Sequence, residues 1–325
     1  MRRRRTPAPP SPLPQRNGVD PVQVRLPGEG TWETVREYLV ERLSGAGEGV
    51  VEGLFARGRV VGVDGQAVTE TTPFTPGTYV WFHRDLTPEV PVPYPVDIVY
   101  RDTHIVVADK PHFLATTPRG SHIAETALAR LRHDLSLPTL GAAHRLDRLT
   151  AGLVLFTIRP EERGAYQTLF RDRRIHKVYE AVAPNSPTPH TSASPTPTFP
   201  LTLTSRMEKP RTSLITLELP GPPNAITHIT KLTHRTDLAR YRLTPETGQT
   251  HQLRVHMASL GLPLLGDPLY PEIQPPVPPT DFHRPLQLLA RELHFTDPIT
   301  GRDHHLHSGR TLEAWESYEE WAGGS

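Results

Sequence analysis

The sequence predicts an α+β fold built on mixed, mostly antiparallel strands, and three observations carry that reading. Strand-like apolar runs are interleaved with short helical stretches along most of the chain. The 37 prolines cluster into joints and loops instead of interrupting those runs. A hydrophobic share of 36% over 325 residues is ample for a core, so the chain as a whole is not disordered.

Taken in order, residues 1–20 are basic and proline-rich and read as a disordered tail. In 31–43, Val35, Tyr38, Leu39 and Leu43 recur at helical spacing. A second helix over 50–56 follows, and 59–63 and 67–69 flank Asp64 and Gly65, a pair suited to a hairpin turn. A strand at 79–82 ends this region, and a proline-rich joint at 88–95 separates it from the rest. Residues 96–100 and 104–108 read as two strands around a turn, followed by Lys110 and Pro111. A helix covers 124–133 and a buried strand 152–158. The helix over 160–172 opens on Pro160, with Glu161 and Glu162 in the first turn, where the helix dipole favours acid. A strand at 177–183 leads into an exposed loop at 184–200, and strands then dominate 214–243. A helix over 250–260, a second proline-rich loop at 271–285 and a closing strand over 286–295 complete the pattern. The implied domains are 21–87 and 88–318, with 319–325 as a tail.

Composition excludes several function classes. With no cysteine, disulfides, thiolate metal sites and cysteine nucleophiles are ruled out. No apolar run approaches a membrane span, and the arginines at 2–5 precede Pro and Ser instead of the apolar stretch of a signal peptide, so a cytoplasmic protein is expected. Net charge is only +1, yet between Arg145 and Lys177 eight basic residues stand against four acidic ones. Arg171, Arg173, Arg174 and Lys177 crowd one segment, which would attract phosphates. The same cluster also fits an ordinary solvated helix end.

The most informative string is His144, Arg145, Leu146, Asp147, Arg148, Leu149, Thr150, Ala151, Gly152, Leu153. A carboxylate between two arginines is expected to stay ionised, and on a tight turn it can act as a nucleophile. Charge and spacing alone equally allow a surface Asp/Arg pair beside a buried strand. The string resembles the His-Arg-Leu-Asp motif of the RluA-type RNA pseudouridine synthases. Two more strings extend the resemblance in order: His176, Lys177, Val178, Tyr179, Glu180; and Thr247, Gly248, Gln249, Thr250, His251, Gln252, Leu253, Arg254 through Met257, with Gly266, Asp267 and Tyr270 beyond. With the Lys-Pro pair and the closing strand, the resemblance covers about 96–300.

That resemblance implies a pseudouridine synthase catalytic domain with Asp147, Tyr179 and Arg254 as catalytic residues. The implied reaction isomerises a uridine of structured RNA without cofactor or metal. Asp147 would act as nucleophile or base at the sugar, Tyr179 would support proton removal and pack against the base, and Arg254 would orient Asp147. By pattern alone Tyr179 is a half-buried strand aromatic. On the 250–260 helix, Leu253, Met257 and Leu260 form an apolar stripe while His251 and Arg254 share another face, so one face packs and the other presents a guanidinium. Candidate RNA contacts are His144, Arg145, Arg148, Thr150, Arg171, Arg174, Lys177, His251 and Gln252, although Arg148 reads equally as a solvent-facing charge. The expected partner is a loop uridine of ribosomal or transfer RNA, ribosomal slightly favoured, flipped out of its stack.

Two departures from the family pattern are Gln249, where Arg or Lys is usual, and Ala151, where Ser is usual. The first region is similar to the small alpha-L RNA-binding module of many relatives, yet Glu48 and Glu52 replace basic residues. The alternative is a small domain that only packs. Two rival functions stand beside the enzyme: a metal-dependent hydrolase, suggested by 17 histidines with Asp303, His304, His305 and His307 clustered, and a noncatalytic RNA-binding protein that keeps the fold.

Overall fold

The computed structural model describes residues 9–46, 49–85, 87–187 and 196–323. They fall into two units, Met1–Pro88 and Glu89–Ser325.

In the first unit, β1 (Val22–Arg25) pairs antiparallel with β2 (Tyr79–Phe82). Thr34 starts α1 (Val35–Arg42): its extended backbone, φ −123°, keeps it outside the helix while its side chain accepts from the Glu37 amide. The helix is therefore shorter than the 31–43 read from periodicity. α2 spans Val50–Ala56, and Leu39, Leu54, Val60 and Val80 form the core between these elements. The anticipated hairpin over 59–69 is present but short: beside the Val61–Ala67 bridge, Gly62 N donates to Gln66 O and Val68 N to Val60 O at 2.9 and 2.8 Å, and the Val61 backbone also pairs with Trp81 of β2. Glu48 and the first eight residues of the expected tail lie outside the described residues. The rest of that tail is not structureless: Arg16 and Val19 exchange backbone bonds of 3.0 and 2.9 Å around Asn17 and Gly18, both in the left-handed region that such a turn requires.

The second unit is organised by one sheet. Its strands are β3 (Asp97–Arg101), β4 (Ile105–Lys110), β5 (Gly141–Ala142), β6 (Ala151–Thr157), β7 (His176–Pro184), β8 (Leu201–Glu208), β9 (Leu217–Leu219), β10 (Ala225–His234), β11 (Leu238–Pro245), β12 (Leu288–Thr296) and β13 (Asp303–His307). They lie in the order β3-β4-β6-β12-β7-β11-β10-β8-β9, with β13 on β12 and β5 on β6. β6 and β12 are parallel and every other neighbouring pair is antiparallel, which is the mixed, mostly antiparallel α+β sheet of the sequence reading. All seven residues of β6 are buried, as its uninterrupted apolar run requires. The contact of β6 with β12 depends on Gly152: its φ is +110°, and a Cβ there would sit 2.3 Å from the Ala290 carbonyl oxygen.

The helices are α3 (Ala127–Asp134), α4 (Arg163–Arg171), α5 (Gln252–Ser259), α6 (Glu313–Glu316) and α7 (Tyr318–Gly323). α4 begins three residues later than read, since 160–162 form a turn. β8 extends the strand-rich region upstream of 214, following the alternation of Leu201, Leu203 and Ser205. The expected tail 319–325 is helical through Gly323, with Trp321 Nε1 donating to the Pro285 carbonyl at 3.2 Å. No helix among the described residues is long and apolar enough to cross a membrane.

Candidate active site

The turn that enters β6 carries Asp147, and it is held by residues from far along the chain. Thr150 N donates to Asp147 O at 3.1 Å, closing the turn. Thr116 Oγ1 both donates to Leu146 O and accepts from Leu146 N, at 2.8 and 3.1 Å. Lys110, wholly buried, donates from Nζ to the carbonyls of Pro111, Leu114 and Arg148 at 2.9, 2.8 and 3.3 Å. His112 Nδ1 donates to Leu149 O at 2.7 Å. His144 Nε2 accepts from Leu155 N at 3.1 Å while its ring stacks on Phe170. Burial lowers Lys110 to about 7, against the pull of the Asp147 charge, and lowers His112 to about 4 and His144 to about 3. Neutral rings and a buried lysine thus fix the backbone on both sides of Asp147, whose side chain keeps 27% of its exposure.

The donor groups beside that carboxylate are not its sequence neighbours. His251 Nε2 lies 3.8 Å and Arg254 Nη1 4.0 Å from Asp147 Oδ2. Arg148 instead donates to the Phe113 carbonyl at 3.3 Å, and Arg145 is exposed at the rim. The fork of Arg254 is also committed elsewhere: Nε and Nη2 grip the two oxygens of Asp267 at 2.7 and 2.6 Å, both side chains nearly sealed from solvent. The bidentate partner is thus Asp267, and Nη1 is left facing Asp147, the carboxylate Arg254 is expected to orient. Burial works against charge on Arg254, but the Asp267 bonds and both carboxylates outweigh it and hold the guanidinium charged.

His251 stands just before α5 with φ +57°, and its Nδ1 hydrogen-bonds the Tyr270 hydroxyl at 2.9 Å. Burial lowers it to about 4 although Asp147 opposes the shift, so the ring is neutral near pH 7. Tyr179 on β7 packs between two core clusters, and burial together with the Asp147 charge raises its hydroxyl well above the ordinary value. α5 is buried almost all round, which replaces the two-faced helix read from its spacing.

Asp147, Tyr179, His251 and Arg254 share a cavity of ≈ 580 Å³, within the usual range of about 300–1,000 Å³ for ligand sites. Arg145, Arg171, Arg173 and Lys177 line it with Arg119, which sequence reasoning did not assign to the site. Lys177 Nζ donates to Thr247 O at 3.2 Å, and burial, aided by Arg173, lowers it to about 8. Arg174 faces an adjoining cavity instead. Three further expected RNA contacts also line the cavity and are held by the fold around it. Gln252 spends both ends of its amide on Thr247, Gln249, Ile226 and Thr227; His144 is bonded to β6 as above; and Thr150 is 3% exposed. The clamps Lys110, His112, Thr116 and Asp267 were missed as supports, since only a Lys-Pro pair and a place in the third string marked any of them.

This sheet, with Asp147 on the turn that enters β6, has the pseudouridine synthase fold. Residues 104–259 match the family model for RNA pseudouridylate synthase. The ribosomal large subunit pseudouridine synthase D of Escherichia coli O6:H1 (strain CFT073) is 38% identical over 185 residues, covering 55% of this chain and 54% of that protein. An uncharacterized RNA pseudouridine synthase of Haemophilus influenzae is 29% identical over 175 residues, covering 54% of this chain and 73% of that one. The chain thus spans about half the length of the Escherichia coli relative. Two solved structures share the fold. Human RNA pseudouridylate synthase domain containing 4 has a TM-score of 0.50 at 22% identity, covering 70% of this chain and 93% of that one. Human RNA pseudouridylate synthase domain containing 1 has a TM-score of 0.51 at 23%, covering 69% and 86%.

Proposed function

We propose that the protein isomerises uridine to pseudouridine in structured RNA, and the observation that carries this is Asp147, held by its backbone at the floor of a cationic cavity. The N1–C1′ bond of the nucleotide breaks, the base turns, C5 bonds to C1′, the C5 proton leaves and N1 gains one. Asp147 acts at the sugar, by attack at C1′ or by removal of the C2′ proton. Arg254 Nη1, anchored through Asp267, fixes the carboxylate, and neutral His251 lines its other side. Tyr179 keeps its proton at neutral pH, packs against the base and relays the C5 proton. Arg145, Arg171, Arg173 and Lys177 hold phosphates flanking a flipped uridine, an extrusion costing on the order of a few kcal/mol and least in loops.

Ribosomal RNA is the favoured substrate over transfer RNA, supported by the large-subunit names of the relatives. The domain boundaries 21–87 and 88–318 and a cytoplasmic location belong to the same proposal. In the first unit Arg57 and Arg59 both pair with Asp85, which favours a packing role over RNA capture there.

The test is incubation of the purified chain with ribosomal and transfer RNA from its own source, followed by pseudouridine mapping. One or a few uridines of ribosomal RNA are converted, and Asp147→Asn abolishes conversion while RNA binding stays nearly intact. Conversion by the Asn variant would remove Asp147 from its role.

A further inference from the structure

The histidine string near the C-terminus is divided by strand alternation. His304 turns inward, stacked on Phe295 with ring centroids 5.0 Å apart and edge-on to Tyr100 at 4.8 Å. Asp303 accepts from Thr296 Oγ1 at 2.6 Å. His305 and His307 turn the other way, to solvent, their rings 4.4 Å apart. The β12–β13 register sets Glu292 opposite His307 and His294 opposite His305. Glu292 Oε2 lies 3.1 Å from His305 Nε2, and one ligand atom each from Glu292, His305 and His307 lies within 4.8 Å of the other two.

We propose that Glu292, His305 and His307 bind a divalent transition-metal ion, zinc by its donor set, on the solvent face of β12 and β13. Two imidazoles and one carboxylate are a zinc donor set that leaves a tetrahedral position open to water. Bonds of about 2.0–2.1 Å at tetrahedral angles place donors about 3.3 Å apart. One pair already stands near that spacing, and the remaining closure needs only rotation of exposed side chains. None of the three lines the cavity around Asp147, and the isomerisation has no use for a metal. The ion instead ties β13 to β12, the strand that pairs with both β6 and β7.

The experiment is calorimetric titration of the tag-free full chain with zinc chloride, paired with thermal melting. One zinc ion binds per chain, and the melting temperature rises with zinc because the ion binds the folded state. His305→Ala and His307→Ala each weaken binding by roughly tenfold or more, and neither changes the metal-free melt or pseudouridine formation. His234→Ala, at an exposed histidine elsewhere, leaves zinc binding unchanged. Glu292→Gln, which keeps the side-chain shape, repeats the loss. Absence of one-to-one binding, or equal binding by both histidine variants and the parent, overturns the proposal. Loss of pseudouridine formation with intact zinc binding bears only on the proposed reaction.

Discussion

The two acidic partners of Arg254 do different jobs, and substitution separates them. Asp267 and Arg254 are a buried pair with 1% and 3% of their side chains exposed. Removing one member leaves an uncompensated buried charge, so Arg254→Ala is expected to cost about 3–5 kcal/mol in a denaturant melt. That exceeds what a positioning arginine at a surface would cost. Asp147 is partly exposed and meets Arg254 only at 4.0 Å, so Asp147→Asn should shift stability by less than about 1 kcal/mol. A melt in which the two variants lose equal stability would sink this division. Lys177 offers a second residue-scale test. Its folded value of about 8 lies below the ordinary 10.5, so the cation is complete at pH 6.5 and fades as pH rises through 8. RNA affinity should fall between pH 7 and 9, and the salt slope should shrink by about 0.7 for one phosphate contact on a single strand. Lys177→Gln should start from weaker binding and show no such fall.

At the scale of elements, the close approach of β6 and β12 determines where Asp147 sits, because β6 begins where the Asp147 turn ends. Gly152→Ala adds a Cβ 2.3 Å from Ala290 O at a φ of +110°. The strain alone is worth about 1–3 kcal/mol, and relief requires the strands to part. A lower denaturant midpoint accompanied by lost activity is expected; unchanged activity would mean the turn is independent of this pairing. Elements with their own local signal were legible: α2 over Val50–Ala56 has its apolar spacing, and β6 its continuous apolar run. Asp147, Tyr179 and Arg254 were legible through family strings, and the cavity brings them together. What supports them was not legible, because it comes from other segments. Lys110 reaches Arg148 O across 38 residues and Thr116 reaches Leu146 across 30, separations that no local period encodes. Asp267 likewise follows Gly266, whose φ of +72° and close approach to the Arg284 and Pro285 carbonyls require glycine. β13 was hidden by its composition, since Asp303, His304, His305 and His307 look like ligands before they look like a strand.

For the whole molecule, the buried histidines turn the fold into a proton-sensitive one. His112, His251 and His256 are lowered to about 4 and His144 to about 3, each chiefly by burial. They occupy separate places: two grip the Asp147 turn, one faces Asp147, and His256 links Ser205 of β8 to Thr227 of β10 at 3.0 and 2.8 Å. In the unfolded chain each protonates near 6.5, so below that pH the unfolded state binds more protons than the folded state. The stability they contribute is therefore complete above pH 6.5 and declines as pH falls toward 4, with a slope of up to about 1.4 kcal/mol per pH unit for each proton. Carboxylates with lowered values, such as Asp297, act in the same direction but only near and below their ordinary 3.8. The interval from pH 6.5 to 4.5 is thus governed mainly by the histidines, with Glu292, lowered from its ordinary 4.5, adding to the fall at the acid end. Urea midpoints measured across it should fall steadily, and His256→Gln should lose stability at pH 7 yet show a shallower fall. A flat midpoint down to pH 4.5 would mean that these rings are protonated within the fold, and neutral His251 beside Asp147 would fall with it.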